Sequence, residues 1–144
     1  MESRSNLSEP SPGEGWVRHR EPGLIALVGP LWEHQGNSPD EFRLGFLAEE
    51  RHTNRGGFVH GGMLMTLIDH AIGMIVLNHN ATESQATIQL DSHFMDIVYP
   101  GDFVIASSRV MRKTRSLIFM QGELHVGTRQ VCTASGVWKL LRPS

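Results

Sequence analysis

Cysteine is nearly missing from this chain, and basic residues hold no majority. Cys132 is the one cysteine among 144 residues, so no intrachain disulfide framework can form. It lies in an apolar, strand-like run, which suits a packing thiol in a reducing compartment. Lys and Arg number 13 against 15 Asp and Glu, a formal charge of −2. That balance supplies no general attraction to nucleic acid. The N-terminus lacks a basic stretch followed by an apolar signal core, and the run Gly62 to Leu77 is short for a bilayer and carries an ionisable residue. A cytoplasmic protein with no nucleic-acid or membrane partner is expected. There is no G-x-S-x-G elbow and no P-loop, and Gly56-Gly57 and Gly61-Gly62 do not make a dinucleotide fingerprint. The eight histidines form no recognised ligand pair on a helix; His70 adjoins Asp69, but neighbours on a helix point in different directions. Neither metal nor cofactor is expected.

What the chain does contain is enough for one core. Its 144 residues, 40% hydrophobic and 19% charged, fit a single globular domain. Residues 1–20 are rich in Ser, Pro, Glu and Gly with little periodicity, which predicts a flexible tail, and residues 21–144 form the domain. Pro22 to Val28 suits a short helix ended by Gly29 and Pro30, followed by a strand from Leu31 to Gln35. Phe42, Leu44, Phe46 and Ala48 alternate on one strand face. After a central helix ended by Asn78 to Asn80 come strand segments at 87–95, 103–112, 117–126 and 130–141, with turns at Pro100-Gly101 and 127–129. They are expected to run as a meander. In the first of them Ile88, Leu90, Ser92 and Phe94 share one face, and Thr87, Gln89, Asp91 and His93 the other. One apolar helix flanked by antiparallel strands is hidden only if the sheet curves around it, an α+β arrangement.

The stretch Asn54 to Asp69, NRGGFVHGGMLMTLID, holds the chemistry. The run Gly62 to Leu77 is apolar almost all the way round, the pattern of a buried helix. Asp69 interrupts it, and a carboxylate there must be paired, hydrated in a cleft or shifted in pKa. It lies too far along the helix for the macrodipole to explain it. Thr66, Asp69, His70 and Gly73 fall at helical spacings and should line one pocket or interface. His60, Gly61 and Gly62 mark the helix entry, where backbone N–H groups lack helical acceptors and can hold an oxyanion. For each residue there is a plainer role: a structural ion pair for Asp69, a tight turn for the glycines, a loop turn for Asn54.

The pattern N-x5-HGG-x6-LxD, carried by Asn54, His60, Gly61, Gly62, Leu67 and Asp69, resembles the hotdog-fold acyl-CoA thioesterases. It is most similar to the phenylacetyl-CoA thioesterase-like branch of the 4-hydroxybenzoyl-CoA thioesterase superfamily, from about Leu24 to Leu141. The resemblance implies a curved antiparallel sheet wrapped around one long helix, and a homodimer or a tetramer made of two dimers. It also implies an active site between protomers. Asn54 and the Gly61 N–H would grip the thioester carbonyl, with His60 supporting their geometry. Asp69 of the other subunit would act as general base on water or as nucleophile. Thr87 could orient that water, a task some relatives give to a hydroxyl where this chain has Gly73. Gly62 is a candidate substrate contact at the helix entry. A coenzyme A substrate brings phosphates, for which Arg112 and Arg115 are candidate contacts, with Lys113, Lys139 and Arg142 nearby in charge pattern. Coenzyme A belongs to the substrate, so no separate cofactor is implied. A hydratase or dehydratase using His60 with Asp69, and a non-catalytic acyl-CoA sensor, remain alternatives on the same fold.

Overall fold

The structure, a computed structural model, describes residues 12–80 and 84–141. Its elements are β1 (Val17–His19), α1 (Leu24–Val28), β2 (Leu31–His34), β3 (Arg43–Leu47), α2 (Gly61–Asn80), β4 (Gln85–Phe94), β5 (Phe103–Lys113), β6 (Leu117–Val126) and β7 (Arg129–Leu140). One seven-stranded antiparallel sheet runs β1-β2-β3-β5-β6-β7-β4, and α2 packs against β3 through β7. This is the hotdog arrangement that the sequence pattern implied.

The expected alternation in β3 is realised, since Phe42, Leu44, Phe46 and Ala48 are all buried. They meet Leu64, Leu67, Ile68, Ile72 and Ile75 of α2 in the same core. Gly122 lies directly beneath the helix: a Cβ there would lie 2.9 Å from Cδ1 of Ile68 and 3.1 Å from Cδ1 of Ile72. Glycine at that point lets the strand accept two large side chains without displacement.

Four expectations change. The ordered chain does not begin near Glu21, because Val17–His19 pairs with β2, His19 opposite Leu31. Residues 1–11 of the expected tail, and Arg142, lie outside the described residues. The central helix is not short: it has 20 residues and would span a bilayer by length and composition, but Met63, Leu64, Leu67, Ile68, Ala71, Ile72, Ile75 and Val76 are buried in the domain's own core. Nor do all the later strands form a meander. Only β5, β6 and β7 do, while β4 crosses to the far edge and pairs with β7. Finally, the even alternation of β4 breaks at a bulge between Thr87 and Gln89, which turns Thr87 toward α2.

Candidate active site

The loop before α2 is shaped by its own backbone. Thr53 bridges Val59, the Asn54 N–H donates to the Phe58 carbonyl at 2.8 Å, and the Gly57 N–H donates to the Asn54 carbonyl at 3.1 Å. Gly57 takes φ 87°, a backbone region that favours glycine in such a turn. Asn54 serves the turn directly, its Oδ1 accepting from the Gly56 N–H at 2.9 Å. Its Nδ2 has no partner among the described residues, so the carboxamide keeps its donor end available.

His60 caps the helix. Its carbonyl accepts from Met63 at 2.9 Å, and its Nδ1 accepts from the Gly62 N–H at 2.8 Å. The Gly62 N–H is therefore engaged, and Gly61 is the glycine whose N–H lacks an acceptor among the described residues. The Phe94 ring covers Gly61, close enough that a Cβ would touch it at 3.4 Å. Small size and an open donor coincide at that position.

Asp69 is half-buried and makes no ion pair among the described residues. Its Oδ1 accepts a hydrogen bond from the Thr87 hydroxyl at 2.8 Å. The pairing of these two residues, read from a motif and from strand position, is thus present. The bulge beside Thr87 accounts for its aim. One turn past Asp69, the Gly73 carbonyl accepts from Nε2 of Gln85 at 2.5 Å, and the buried Oε1 of Gln85 has no partner among the described residues. Gln85 was not singled out in the sequence, where nothing marks it as facing the helix.

The expected single polar stripe on α2 divides instead. Thr66 closes onto the Gly62 carbonyl of its own helix at 2.9 Å. Asp69 and Gly73 face β4, while His70 faces β1, with Nε2 2.9 Å from Nε2 of His19. Burial, the largest influence, pushes His70 below its ordinary value; the Glu21 charge opposes it and His19 reinforces it. Cys132 is buried, and burial pushes its thiol up to about 11, so it carries little thiolate at neutral pH.

Gly61 and Asp69 are separated by two helical turns, about 12 Å along the axis. Within one chain they cannot flank one carbonyl. Arg112 and Arg115 lie farther off, where β5 turns into β6, and neighbouring Lys113 donates from Nζ to the His79 carbonyl at 2.7 Å. That end of α2 is about 27 Å from Gly61. A cleft of about 900 Å³ contains none of the predicted site residues; Arg43, His93, Ser108, Arg109 and Glu123 are among its walls.

Comparison with known proteins places these residues in a family. The thioesterase superfamily model matches residues 56–133, which contain the HGG glycines, Asp69 and Thr87. A Pseudomonas aeruginosa protein assigned by name to the esterases is 30% identical over 122 residues, covering 84% of this chain and 90% of its own. Acyl-coenzyme A thioesterase 13 of Mus musculus is 22% identical over 99 residues, 69% of this chain and 71% of that one. A thioesterase-class structure from Ralstonia eutropha, a phenylacetic acid degradation-related protein, superposes with a TM-score of 0.62 at 26% identity, covering 68% of this chain and 74% of its own. With its helix-wrapping sheet, its match across more than half its length and its phenylacetic-acid-related relatives, this chain belongs to the thioesterase superfamily and is a thioester hydrolase.

Proposed function

We propose that the protein hydrolyses acyl-CoA thioesters to a free acid and coenzyme A, at a site shared by two copies of the chain. The observation that carries the mechanism is the Thr87 hydroxyl held on Oδ1 of an Asp69 that forms no ion pair among the described residues. The mouse relative, an acyl-coenzyme A thioesterase by name, supports the substrate class.

In this reading the open N–H of Gly61 and the Nδ2 donor of Asn54 polarise the thioester carbonyl and stabilise the oxyanion that forms on it. Asp69 of the second copy draws a proton from water, which attacks the carbonyl carbon; the oxyanion then collapses, the C–S bond breaks, and the departing coenzyme A thiolate takes up the proton held by Asp69. Thr87 fixes one carboxylate oxygen, so the other takes that proton. The water route is preferred to direct attack by Asp69, because a hydroxyl beside the carboxylate can also orient the attacking water. His60 holds the helix entry in shape, and its engaged Nδ1 leaves it poorly placed for the acid–base work of a hydratase.

A shared site follows from the roughly 12 Å between Gly61 and Asp69 on one helix. Strand β4 offers the seam. It is an edge strand whose outer side pairs with no strand among the described residues, and Ile88 is 57% and Phe94 49% exposed. Joining two such edges would cover them and extend the sheet. Two dimers could then associate further as a tetramer, and Arg112 and Arg115 would reach coenzyme A phosphates only from a neighbouring copy. A single buried thiol suits a cytoplasmic setting.

Thiol trapping over short, medium, long and aryl acyl-CoAs tests the reaction, and thiol release from none of them would sink it. Complementation tests the shared site. Asp69→Asn and Asn54→Ala, each nearly inactive alone, should recover about a quarter of wild-type activity when refolded as a mixture, because half the dimers then hold one intact site. No recovery would place both residues in one chain's site.

A further inference from the structure

On the other flank of α2, three side chains from three segments converge on one point. Nε2 of His19, at the end of β1, lies 2.9 Å from Nε2 of His70 on α2. Oε2 of Glu21, just beyond β1, is 3.2 Å from the first nitrogen and 3.0 Å from the second. The triangle is close to equilateral.

The second nitrogen of His19 is also engaged. Nδ1 lies 3.2 Å from Oε2 of Glu33 on β2, and His19 itself is only 8% exposed. A carboxylate on the far nitrogen is the usual means of orienting a metal-binding imidazole. With Nδ1–H donating to Glu33, Nε2 of His19 presents a lone pair, and so does Oε2 of Glu21 beside it. In that tautomer two acceptors face each other at 3.2 Å, an arrangement relieved by a proton or a metal cation between them. The His70 proton reaches both but satisfies only one well.

A metal ion would satisfy all three. Tetrahedral zinc, with bonds of about 2.0–2.2 Å to nitrogen and oxygen, separates its ligand atoms by about 3.3 Å. The triangle needs to widen by only a few tenths of an ångström. We infer that Nε2 of His19, Nε2 of His70 and a carboxylate oxygen of Glu21 form a divalent-cation site of the zinc type, completed by water. Two imidazoles with one carboxylate favour zinc or a late first-row metal over magnesium or calcium, which take oxygen ligands. Access is open, because His19 and Glu21 also line a cleft of about 380 Å³. The site would tie β1, a three-residue edge strand held by β2, to the central helix.

The test uses the full chain without a polyhistidine tag, stripped by chelator and titrated with zinc sulfate by calorimetry, with magnesium chloride as control. One Zn²⁺ per chain is expected, with a rise in Tm of ~5–10 °C at a hundredfold excess over Kd. Cobalt(II) in place of zinc should give the intense visible absorption of tetrahedral nitrogen and oxygen coordination. Because His19 is buried and its removal risks misfolding, the variants are His70→Gln and Glu21→Gln. Each should weaken zinc binding at least tenfold, and Glu33→Gln should weaken it by ~10- to 100-fold through loss of the orienting carboxylate. Absence of stoichiometric zinc binding would overturn the site. So would zinc affinity unchanged in both ligand variants, since the ion would then rest on other histidines.

Discussion

Asp69 and His70 are consecutive, yet they serve different flanks of the same helix. Asp69 meets Thr87 on β4, at one edge of the sheet; His70 meets His19 on β1, at the other. A step of one residue turns a helix by about 100°, which directs the two polar groups to separate neighbours. On the β4 flank the carboxylate meets a hydroxyl and forms no ion pair among the described residues, an arrangement suited to taking a proton. The β1 flank crowds two imidazoles and a carboxylate together, an arrangement suited to holding a cation. Identical backbone surroundings thus yield opposite electrostatic roles.

Substitutions can break or sharpen that contrast. The largest effect is expected for Asp69→Asn, which should lower kcat by about 10³-fold or more. Circular dichroism should stay as in the wild type and zinc affinity should fall only slightly, since the Asp69 charge acts on His70 through space alone; a loss of about tenfold or more would show that the flanks are not separate sites. Asn54→Ala should lower kcat by about 10²-fold through loss of an oxyanion donor, as read in steady-state thiol release. An effect on Tm alone would confine Asn54 to its turn.

Gly122→Ala strikes beneath both flanks, because its new methyl presses on Ile68 and Ile72. A loss of about 1–3 kcal/mol in urea unfolding is expected, with turnover and zinc affinity falling together. The smallest effect belongs to Thr87→Val, which keeps the shape of the strand residue and removes its hydroxyl. One lost hydrogen bond corresponds to about a tenfold drop in kcat, and zinc titration should be unaffected. Unaltered turnover would reduce Thr87 to a strand residue.

Much of the fold could be read along the chain because its signals are local. Alternation placed Phe42, Leu44, Phe46 and Ala48 on a buried face, and the unbroken apolar run placed α2 in the core. The same holds for the helix entry, where His60, Gly61 and Gly62 are neighbours whose hydrogen bonds close within a few residues. Reading failed where partners are distant. Periodicity in β4 says nothing about whether it lies beside β5 or β7, since either pairing satisfies its backbone. His19 and Glu21 fell in or beside a segment whose composition predicted a tail, so their meeting with His70, about fifty residues away, left no trace in spacing.

The sequence by itself determined a buried helix bearing one acid, a glycine-flanked entry with an open donor, and an antiparallel sheet to enclose them, because helix and strand periods and turn chemistry act over a few residues. Tertiary structure alone decided which side chains meet across the sheet: the bulge that aims Thr87 at Asp69, Gln85 against the Gly73 carbonyl, and the convergence of His19, Glu21 and His70. Those contacts depend on strand order and on how the sheet curves around α2. Both are settled by packing over the whole domain, which no short stretch of residues records.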